Sequence, residues 1–525
     1  MCSASAALCL THIAAMHPIR PTQAYPLFST ASTRVLEQAA ARSLPSHTLM
    51  QRAGLAVARL AMALAPHSRT VWIACGPGNN GGDGLEAAMH LRRQGRRVVV
   101  TWLGHPESAP SDARASWEGA LSVGVEWADS SPQGLTRDDL CIDALLGIGV
   151  SSARQTPARP LDGRMQQCLQ ALRALQAGAT PLLAVDVPSG LDADTGQFAA
   201  GFATAAPTGA GAGHYTLSLL TLKPGLFTAS GRDAAGQVWL DNLGIDPAQI
   251  GHGPPDAWLS APPEPPSRTH ASHKGSYGDV AVVGGEGLAA RGMGMTGAAL
   301  LAASAALHSG AGRVLVALLD DGHLPLDAQQ PELMFRRFDA LMLEDLTVVC
   351  GCGGGQAVAP VLPAVITRAA RLVLDADALN IIATRKDLCA LVAARSQRGL
   401  PTVLTPHPLE AARLLGLTTA EVQGDRLESA QQLADAFQCV AVLKGSGSVI
   451  ASPDGTSALN PTGNARLATA GTGDVLAGMV GARLAAGVHA AHAARGAVYL
   501  HGQAADDWPQ GLTLTASALA RRVGG

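Results

Sequence analysis

Residues 75–84 read CGPGNNGGDG, and this stretch predicts the class of fold for the first half of the chain. It contains Gly76-x-Gly78-x-x-Gly81, the glycine spacing of a dinucleotide-binding turn. The apolar run TVWIAC precedes it, and the helix-like stretch GLEAAMHLRRQG follows it. A strand, a glycine turn and a helix in this order predict one unit of a parallel α/β sheet.

The same alternation continues along both halves of the 525-residue chain. Continuous apolar runs such as PLLAVD, DVAVVGG and RLVLDADALN end in polar or glycine-rich turns, as buried parallel strands do. Between the halves, residues 251–276 hold six prolines in their first sixteen positions, which interrupt regular structure. The predicted organisation is an extension at 1–27, an α/β domain at 28–250, a linker at 251–271 and an α/β domain at 272–525.

Composition excludes several classes of protein. A formal charge of −3 and 3% aromatic residues give no surface for nucleic acid, and no run of about 20 apolar residues is long enough for a bilayer. The nine cysteines show no metal-ligand spacing, and Cys350-x-Cys352 is interpreted as two small residues beside a glycine turn. We expect a cytoplasmic protein, in which residues 1–27 are a disordered extension or translation starts at Met16.

The glycine turn fails one test for an ordinary dehydrogenase. A redox dinucleotide site needs an acidic residue at the end of the next strand to bind the ribose hydroxyls. The next strand, RRVVVTWLGH, ends instead in Trp102, Leu103 and Gly104, and Glu107 comes too late. The turn also carries polar side chains at Asn79, Asn80 and Asp83 that a pyrophosphate loop does not require.

Two further strand ends supply oxygen atoms. Asp143 ends the run LCIDA, while Asp186 and Ser189 follow PLLAV. If these turns converge, Asn80, Asp143 and Ser189 form an oxygen-rich pocket that suits a hard cation better than zinc, and Asp186 remains as an acid/base. Each residue also has a purely structural explanation, since acidic residues favour a first helical turn and Asp and Ser cap turns.

The second half contains a possible anion site. Gly471-Thr472-Gly473 precedes an apolar helix, whose amides and dipole would bind an anion, and Asp474 is placed as a general base. Lys444 in KGSGS adds a cation for phosphate. His407, in the rigid turn TPHP, and Asp474 could instead be structural, the latter as a helix-capping residue.

Residues 28–247 resemble an NAD(P)H-hydrate epimerase domain. The shared segments, in chain order, are LFSTASTRVLEQAA, HTLMQRAGLAVARLA, CGPGNNGGDG, IDALLGIG, DVPSGLDADTG and LKPGL. The resemblance implies a Rossmann-like three-layer domain that binds hydrated NADH or NADPH beside K⁺, with Asp186 as acid/base. The substrate residues it implies are Asn79, Asn80, Gly81, Gly82, Asp83, Gly147, Ile148, Gly149, Val150, Ser151, Ser152, Ala153 and Asp186; the K⁺ ligands are Asn80, Asp143 and Ser189.

Residues 272–522 resemble a ribokinase-like, ADP-dependent NAD(P)H-hydrate dehydratase. The shared segments include HKGSYGDVAVVGG, GAALLAASAALHSGAGRV, DADALN, TPHPLEAARLLG, VLKGSGSVI and ATAGTGDVLAGM. CGCGGG departs from the family, because Cys352 and Gly354 stand where Pro and Leu are usual. The implied substrate residues are Ala298, Gly353, His407 and the base Asp474; the implied nucleotide residues are Lys444, Gly445, Ser446, Gly447, Ser448 and Gly473, with Mg²⁺ entering on ADP.

Together the two resemblances predict an N-terminal Rossmann-like domain followed by a C-terminal ribokinase-like α/β domain in a bifunctional repair enzyme. It would interconvert the R and S forms of hydrated NAD(P)H and dehydrate the S form with ADP, releasing AMP and phosphate. We expect a homo-oligomer with small-molecule partners only. The alternative is a ribokinase-like kinase for a vitamin precursor or a sugar, fused to a non-catalytic nucleotide-binding module.

Overall fold

A computed structural model describes residues 16–152, 163–202, 213–248, 253–265, 270–289, 291–321 and 324–524. These residues form two compact units. The first takes its described residues from 1–20 and 27–256, and the second from 21–26 and 257–525. Each unit is an alternating α/β structure built on its own sheet, so the predicted fold class is confirmed.

The elements up to residue 241 are as follows. The strands are β1 (Met16–Pro18), β2 (Tyr25–Leu27), β3 (Thr70–Cys75), β4 (Arg97–Trp102), β5 (Glu126–Trp127), β6 (Leu140–Ala144), β7 (Leu182–Val185), β8 (His214–Leu219) and β9 (Gln237–Asp241). The helices are α1 (Thr30–Ser43), α2 (Thr48–Leu64), α3 (Asn79–Arg93), α4 (Ser111–Ser122), α5 (Gly163–Ala177) and α6 (Gly231–Ala234).

The first sheet has eight strands in the order β1-β9-β8-β7-β6-β3-β4-β5. All neighbours are parallel except β1, which runs antiparallel to β9. The chain proceeds outward from β3 to β5 and then returns to the other side of β3 with β6. The carboxyl ends of β3 and β6 therefore flank a topological switch point, where open α/β sheets bind ligands.

Alternating side chains of these strands pack into two hydrophobic cores. Val71, Ile73 and Ile142 face α1, α2 and α3, while Trp72 and Cys141 face α5. Every residue of β3 is buried, which explains its continuous apolar sequence. This burial on both faces holds the strand ends rigid, so the turns that follow them have fixed positions.

The elements from residue 257 onward are as follows. The strands are β10 (Ala257–Leu259), β11 (Asp279–Glu286), β12 (Arg313–Leu319), β13 (Met334–Phe335), β14 (Thr347–Cys350), β15 (Arg371–Leu374), β16 (Thr402–Leu404), β17 (Val440–Leu443), β18 (Val449–Ala451) and β19 (Ser457–Leu459). The helices are α7 (Thr296–His308), α8 (Leu362–Arg368), α9 (Ala376–Ala383), α10 (Lys386–Gln397), α11 (Pro408–Leu415), α12 (Thr419–Gly424), α13 (Arg426–Phe437), α14 (Thr472–Ala485), α15 (Ala490–Asp506) and α16 (Ala516–Ala520).

The second sheet has the strand order β13-β12-β11-β14-β15-β16-β17-β18-β19-β10-β2. Its strands are parallel from β13 to β17, and β18 runs antiparallel to both of its neighbours. The direction of winding reverses between β11 and β14, which makes their carboxyl ends the second switch point. Helices α7 and α14 approach closely because Gly478 lacks a Cβ, which would overlap the carbonyl oxygen of Ala302.

Two short segments differ from the predicted organisation. Within the predicted linker, Ala257–Leu259 forms β10 and pairs in parallel with β19. Within the predicted extension, Tyr25–Leu27 forms β2 of the same sheet. Prolines flank the apolar triplet AWL but leave its own amides free to pair, so a three-residue strand forms between them.

Candidate active sites

The glycine turn after β3 is shaped by close backbone packing. A Cβ at Gly76 would overlap the carbonyl oxygen of Leu145 beyond β6, and one at Gly81 would overlap that of Gly76. Gly78, the N-cap of α3, has open space where a Cβ would lie. The turn itself therefore requires two of the three spaced glycines, Gly76 and Gly81. Only Gly78 leaves room for another molecule.

Trp102 lies at the end of β4, where a redox dinucleotide site would have a ribose-binding acid. Its indole Nε1 donates a hydrogen bond of 3.1 Å to the carbonyl oxygen of Gly76. The ring also stacks on Trp117, with 5.8 Å between ring centroids. Trp102 therefore holds the glycine turn in position from the end of β4. At this strand end, a residue that supports the turn stands in place of a ribose-binding acid.

A cavity of about 500 Å³ opens at the first switch point. Seven of the predicted substrate residues line it: Asn79, Asn80, Asp83, Gly147, Ile148, Gly149 and Asp186. Thr33, Arg34 and Glu37 of α1 also line it, together with Lys223, and none of these four was predicted. Lys223 lies in the segment LKPGL, which the resemblance contained without assigning a role to the lysine.

Asp186 and Lys223 form a buried ion pair in this cavity. Lys223 is 0% exposed, and its Nζ donates to Asp186 Oδ1 and to the carbonyl oxygen of Leu219, the latter at 2.7 Å. Asp186 has a positive φ of 66°, a conformation that costs a non-glycine residue about 1–3 kcal/mol. Strained backbone conformations of this kind cluster at active sites, which makes Asp186 a candidate functional residue.

Asp83 lies in α3, one turn after the start of the helix, and lines the same cavity as Asp186. Burial raises the pKa of Asp83 well above its usual range, and the charges of Asp186 and Glu37 raise it further. The cavity therefore holds two carboxyl groups in different environments: burial favours the protonated form of Asp83, and Asp186 is paired with Lys223.

Asp143 and Ser189 are in direct contact. Ser189 donates from Oγ to Asp143 Oδ1 at 2.6 Å and from its amide to Oδ2 at 3.0 Å. Burial raises the pKa of Asp143. Both residues line a smaller cavity of about 130 Å³ that also contains Arg173. Asn80 lies beside Gly147, whose Cβ would stand 3.1 Å from Asn80 Oδ1.

The remaining predicted epimerase residues have other surroundings. Gly81 and Gly82 are buried at the start of α3. Ser152 donates from its amide and its hydroxyl to Asp192 Oδ2, at 2.7 and 2.8 Å, which anchors the end of the loop. Val150 and Ser151 are not among the residues that line the larger cavity, and Ala153 lies outside the described residues.

In the second unit, α14 begins where the sequence predicts an anion site. Gly471 is its N-cap with φ of 88°, and Asp474 lies in its first turn. Thr472 is held by His501, whose burial lowers its pKa to about 4, so the neutral ring donates from Nε2 to the Thr472 carbonyl at 2.9 Å. The Thr472 carbonyl is therefore held in position at the start of α14, where the first backbone amides have no intrahelical partners.

Lys444 lies between this helix and a buried carboxylate. Its Nζ donates to Asp375 Oδ1 at 2.8 Å and stands 3.3 Å from where a Cβ of Gly473 would be. Arg426, 1% exposed, braces the loop by donating to the carbonyl oxygens of Leu443 and Lys444, both at 3.2 Å. Asp375 and Arg426 were not predicted, although Asp375 begins the quoted segment DADALN.

Asp474 has the electrostatic properties of a general base near neutral pH. Burial raises its pKa to about 7, and the nearby charge of Asp375 contributes to the rise. The Cys352 thiol, which the sequence interpretation treated as a small filler, contacts both carboxylates and lies 3.9 Å from Asp375 Oδ2. This turn is therefore part of the site.

His407 is a helix cap in this structure. Its Nδ1 accepts from the amides of Leu409 and Glu410, and Glu410 accepts in return from the His407 amide at 2.8 Å. The side chain is 45% exposed, so its other edge can still contact a ligand. Ala298 and Gly353 are adjacent, since a Cβ at Gly353 would lie 2.7 Å from that of Ala298.

The fold is a two-unit α/β structure with a carboxyl-lined cavity at the first switch point and, in the second unit, a glycine-rich helix start beside Lys444 and Asp474. Family models match both parts: residues 46–225 match the YjeF-related protein N-terminus, and residues 282–523 match NAD(P)H-hydrate dehydratase.

Relatives match nearly the whole chain. The Escherichia coli K12 bifunctional NAD(P)H-hydrate repair enzyme Nnr is 35% identical over 90% of this chain and 87% of its own. The Moorella thermoacetica enzyme of the same name is 35% identical over 88% of each chain. A Bacillus subtilis ADP/ATP-dependent NAD(P)H-hydrate dehydratase, co-crystallised with ATP/Mg²⁺, is 35% identical and covers 49% of this chain and 92% of its own, with a TM-score of 0.42.

The chain belongs to the family of bifunctional NAD(P)H-hydrate repair enzymes. It combines an NAD(P)H-hydrate epimerase domain with an NAD(P)H-hydrate dehydratase domain. The predicted fusion of two repair activities is confirmed, and the alternative of a kinase with a non-catalytic module is not favoured. Among the described residues, no helix has the length and apolar character needed to cross a membrane.

Proposed function

We propose that Asp186 is the acid/base of the epimerase and that Lys223 holds its carboxylate in position. This proposal rests on the buried ion pair, in which a lysine with 0% exposure donates to the carboxylate that lines the cavity. The hydrated nicotinamide ring would lie between Asp186 and the glycine turn, with Asn79, Asn80 and Asp83 as hydrogen-bonding partners. Asp83, whose pKa is raised by burial, would donate a hydrogen bond to the ring's substituents.

We also propose K⁺ at Asn80, Asp143 and Ser189. The residues fit this ion. Asp143 is a buried carboxylate that accepts hydrogen bonds from the hydroxyl and the amide of Ser189. Within the described part of the chain, no basic side chain forms an ion pair with Asp143, whereas Asp186 is paired with Lys223. Asn80 Nδ2 is buried without a hydrogen-bond partner among the described residues, and exchanging the amide N and O would present an oxygen instead. Bound K⁺ would neutralise Asp143 and hold the loop that begins at Gly147.

For the dehydratase, we propose that Asp474 removes the hydroxyl proton of the S hydrate while ADP supplies the phosphoryl group. Loss of phosphate, together with the proton on the adjacent ring carbon, would then restore the ring double bond of NAD(P)H and leave AMP and phosphate as the other products. Lys444, the loop to Ser448 and the amide of Gly473 would bind the nucleotide phosphates, with Mg²⁺ arriving on ADP. Ala298, Gly353 and the exposed edge of His407 would contact the hydrate.

The cellular setting is proposed on chemical grounds. We place the protein in the cytoplasm, since the seven cysteines among the described residues are all free thiols. We propose that it forms a homo-oligomer and that the domain boundaries lie at 28–250 and 272–525, apart from the strand at Ala257–Leu259.

The decisive experiment separates the two activities within one chain. R and S hydrates of NADH are incubated with the protein, first with ADP and then with ATP, and epimers, NADH and AMP are measured. Asp186→Asn should abolish R-to-S conversion while dehydration of the S form continues, and Asp474→Asn should do the reverse. If Asp186→Asn retains full epimerase activity, the proposed role of Asp186 is wrong.

Potassium is tested in the same assay. Replacing K⁺ by Na⁺ should lower the epimerase rate, and Asp143→Asn should remove the difference between the two ions. Binding of Tl⁺, a K⁺ substitute, followed by thallium NMR gives a readout independent of activity. Equal Tl⁺ binding by wild type and Asp143→Asn would contradict the assignment.

A further inference from the structure

Cys352 follows β14 at the second switch point, and its thiol lies against two carboxylates. Its Sγ atom and one oxygen each of Asp375 and Asp474 all lie within 4.8 Å of one another. Cys352 is 0% exposed and Asp375 is 1% exposed, whereas Asp474 is only partly buried. Among the residues that the structure describes, this is the one group of three or more His, Cys, Asp or Glu side chains with such geometry.

The positions of the three donors are fixed by different elements. Cys352 comes from the turn after β14, Asp375 from the end of β15 and Asp474 from the first turn of α14. Thr405 donates to Asp375 Oδ1 at 2.9 Å and leaves Oδ2 directed at the thiol. Three ligands held by rigid elements lose little freedom when they bind a metal, which favours affinity.

The charges of the group are balanced by a divalent cation. A coordinating thiol is deprotonated, so Cys352, Asp375 and Asp474 would together carry three negative charges. Lys444, 2.8 Å from Asp375 Oδ1, supplies one positive charge, and a divalent ion supplies the other two. A thiolate ligand selects Zn²⁺ or Cd²⁺ over Mg²⁺, and three protein ligands leave the fourth tetrahedral position for water.

We propose that Cys352, Asp375 and Asp474 form a site for a thiophilic divalent cation, Zn²⁺ or Cd²⁺, whose binding occupies the dehydratase base and leaves the epimerase active. The inhibitory consequence rests on the proposed role of Asp474, whereas binding itself does not. A thiophilic cation would then stop repair at its second step, so that both epimers of the hydrate accumulate.

Binding is tested on the full-length protein with Cd²⁺, by the ultraviolet charge-transfer absorption of a cadmium–thiolate bond. Cys352→Ala should lose the saturable band and weaken Cd²⁺ binding by more than the ~10–100-fold typical of removing an outer-shell partner. Cys350→Ala is the matched control, because Cys350 is equally buried two residues earlier and is not part of the group. If Cys352→Ala keeps the band with the same midpoint, or Cys350→Ala loses it, the site is refuted.

Inhibition is tested with the epimerase as the internal control. Cd²⁺ should lower the dehydratase rate of the wild type, a chelator should restore it, and R-to-S conversion should be unchanged. Cys352→Ser, which preserves side-chain volume if Cys352→Ala folds poorly, should have a dehydratase rate that Cd²⁺ does not lower relative to the same variant's rate without metal. Equal inhibition of Cys352→Ser and wild type would overturn the inhibitory role. A metal-free wild type that binds Cd²⁺ but never dehydrates the hydrate would refute the proposed function and leave the metal site standing.

Discussion

Lys223 Nζ donates to Asp186 Oδ1 inside the first unit, and the lysine has no exposed surface. The two residues are 37 positions apart, at the end of β7 and beyond the end of β8. Parallel pairing of these strands brings their carboxyl ends together. The cavity therefore contains the Asp186 carboxylate, whose negative charge is paired with the buried Lys223.

Lys223→Met should inactivate the epimerase. Without the cation, the buried Asp186 carboxylate is unpaired, so we expect a loss of roughly 10²–10⁴-fold in rate and about 3–5 kcal/mol in stability. The double variant Asp186→Asn/Lys223→Met should regain stability, because no buried charge is left unpaired. It should not regain activity, because the proposed acid/base carboxyl group is absent. Thermal unfolding and the R-to-S assay measure the two effects, with dehydration of the S form as control. A Lys223→Met protein with wild-type epimerase kinetics would refute the role of the pair.

The dehydratase rate should depend on the ionisation of Asp474. Burial, with a contribution from Asp375, raises the pKa of Asp474 to about 7. A general base acts when deprotonated, so the rate should be low well below pH 7 and rise through about pH 7 to a plateau above it. Rate measurements with saturating ADP and S hydrate check this. A flat profile across this range would show that a different group limits the reaction.

The glycine turn offers a matched pair of substitutions. A Cβ at Gly81 would overlap the carbonyl oxygen of Gly76, so Gly81→Ala should destabilise the first unit by about 1–3 kcal/mol and lower epimerase activity. Gly78→Ala meets open space at an extended backbone conformation and should fold normally. Chemical denaturation compares the two. Equal stability of the two variants would contradict the packing explanation of Gly81.

His407 can be tested for a role beyond capping. His407→Ala removes an N-cap and should cost about 0.5–2 kcal/mol, whereas His407→Asn supplies another good cap and should keep most stability. If the exposed edge of His407 contacts the hydrate, His407→Asn should raise KM for the S hydrate while unfolding remains close to wild type. A His407→Asn enzyme with unchanged KM would leave the histidine as a capping residue alone.

Many features of both sites could be predicted from the sequence because they depend on local order along the chain. Strands with continuous apolar residues, glycine turns and helix starts were recognisable, and they located Asp186, Asp474 and Lys444 at strand ends or helix starts. The interpretation of Cys352 as a small residue beside a turn was incomplete for a physical reason. Its chemistry depends on Asp375 and Asp474, which come from β15 and α14.

The sequence by itself determined the alternating α/β class, the order of the turns and the chemical type of each candidate side chain, since these follow from hydrophobic period and residue identity. The turn CGPGNNGGDG illustrates what the sequence and the tertiary structure each determine. Its spacing predicted a nucleotide-type turn, but only the tertiary structure showed that Gly76 and Gly81 serve backbone packing and that Gly78 faces open space. Tertiary structure likewise decided the partners of Asp186 and Cys352, because burial and charge pairing depend on residues that the sheet brings together from distant positions.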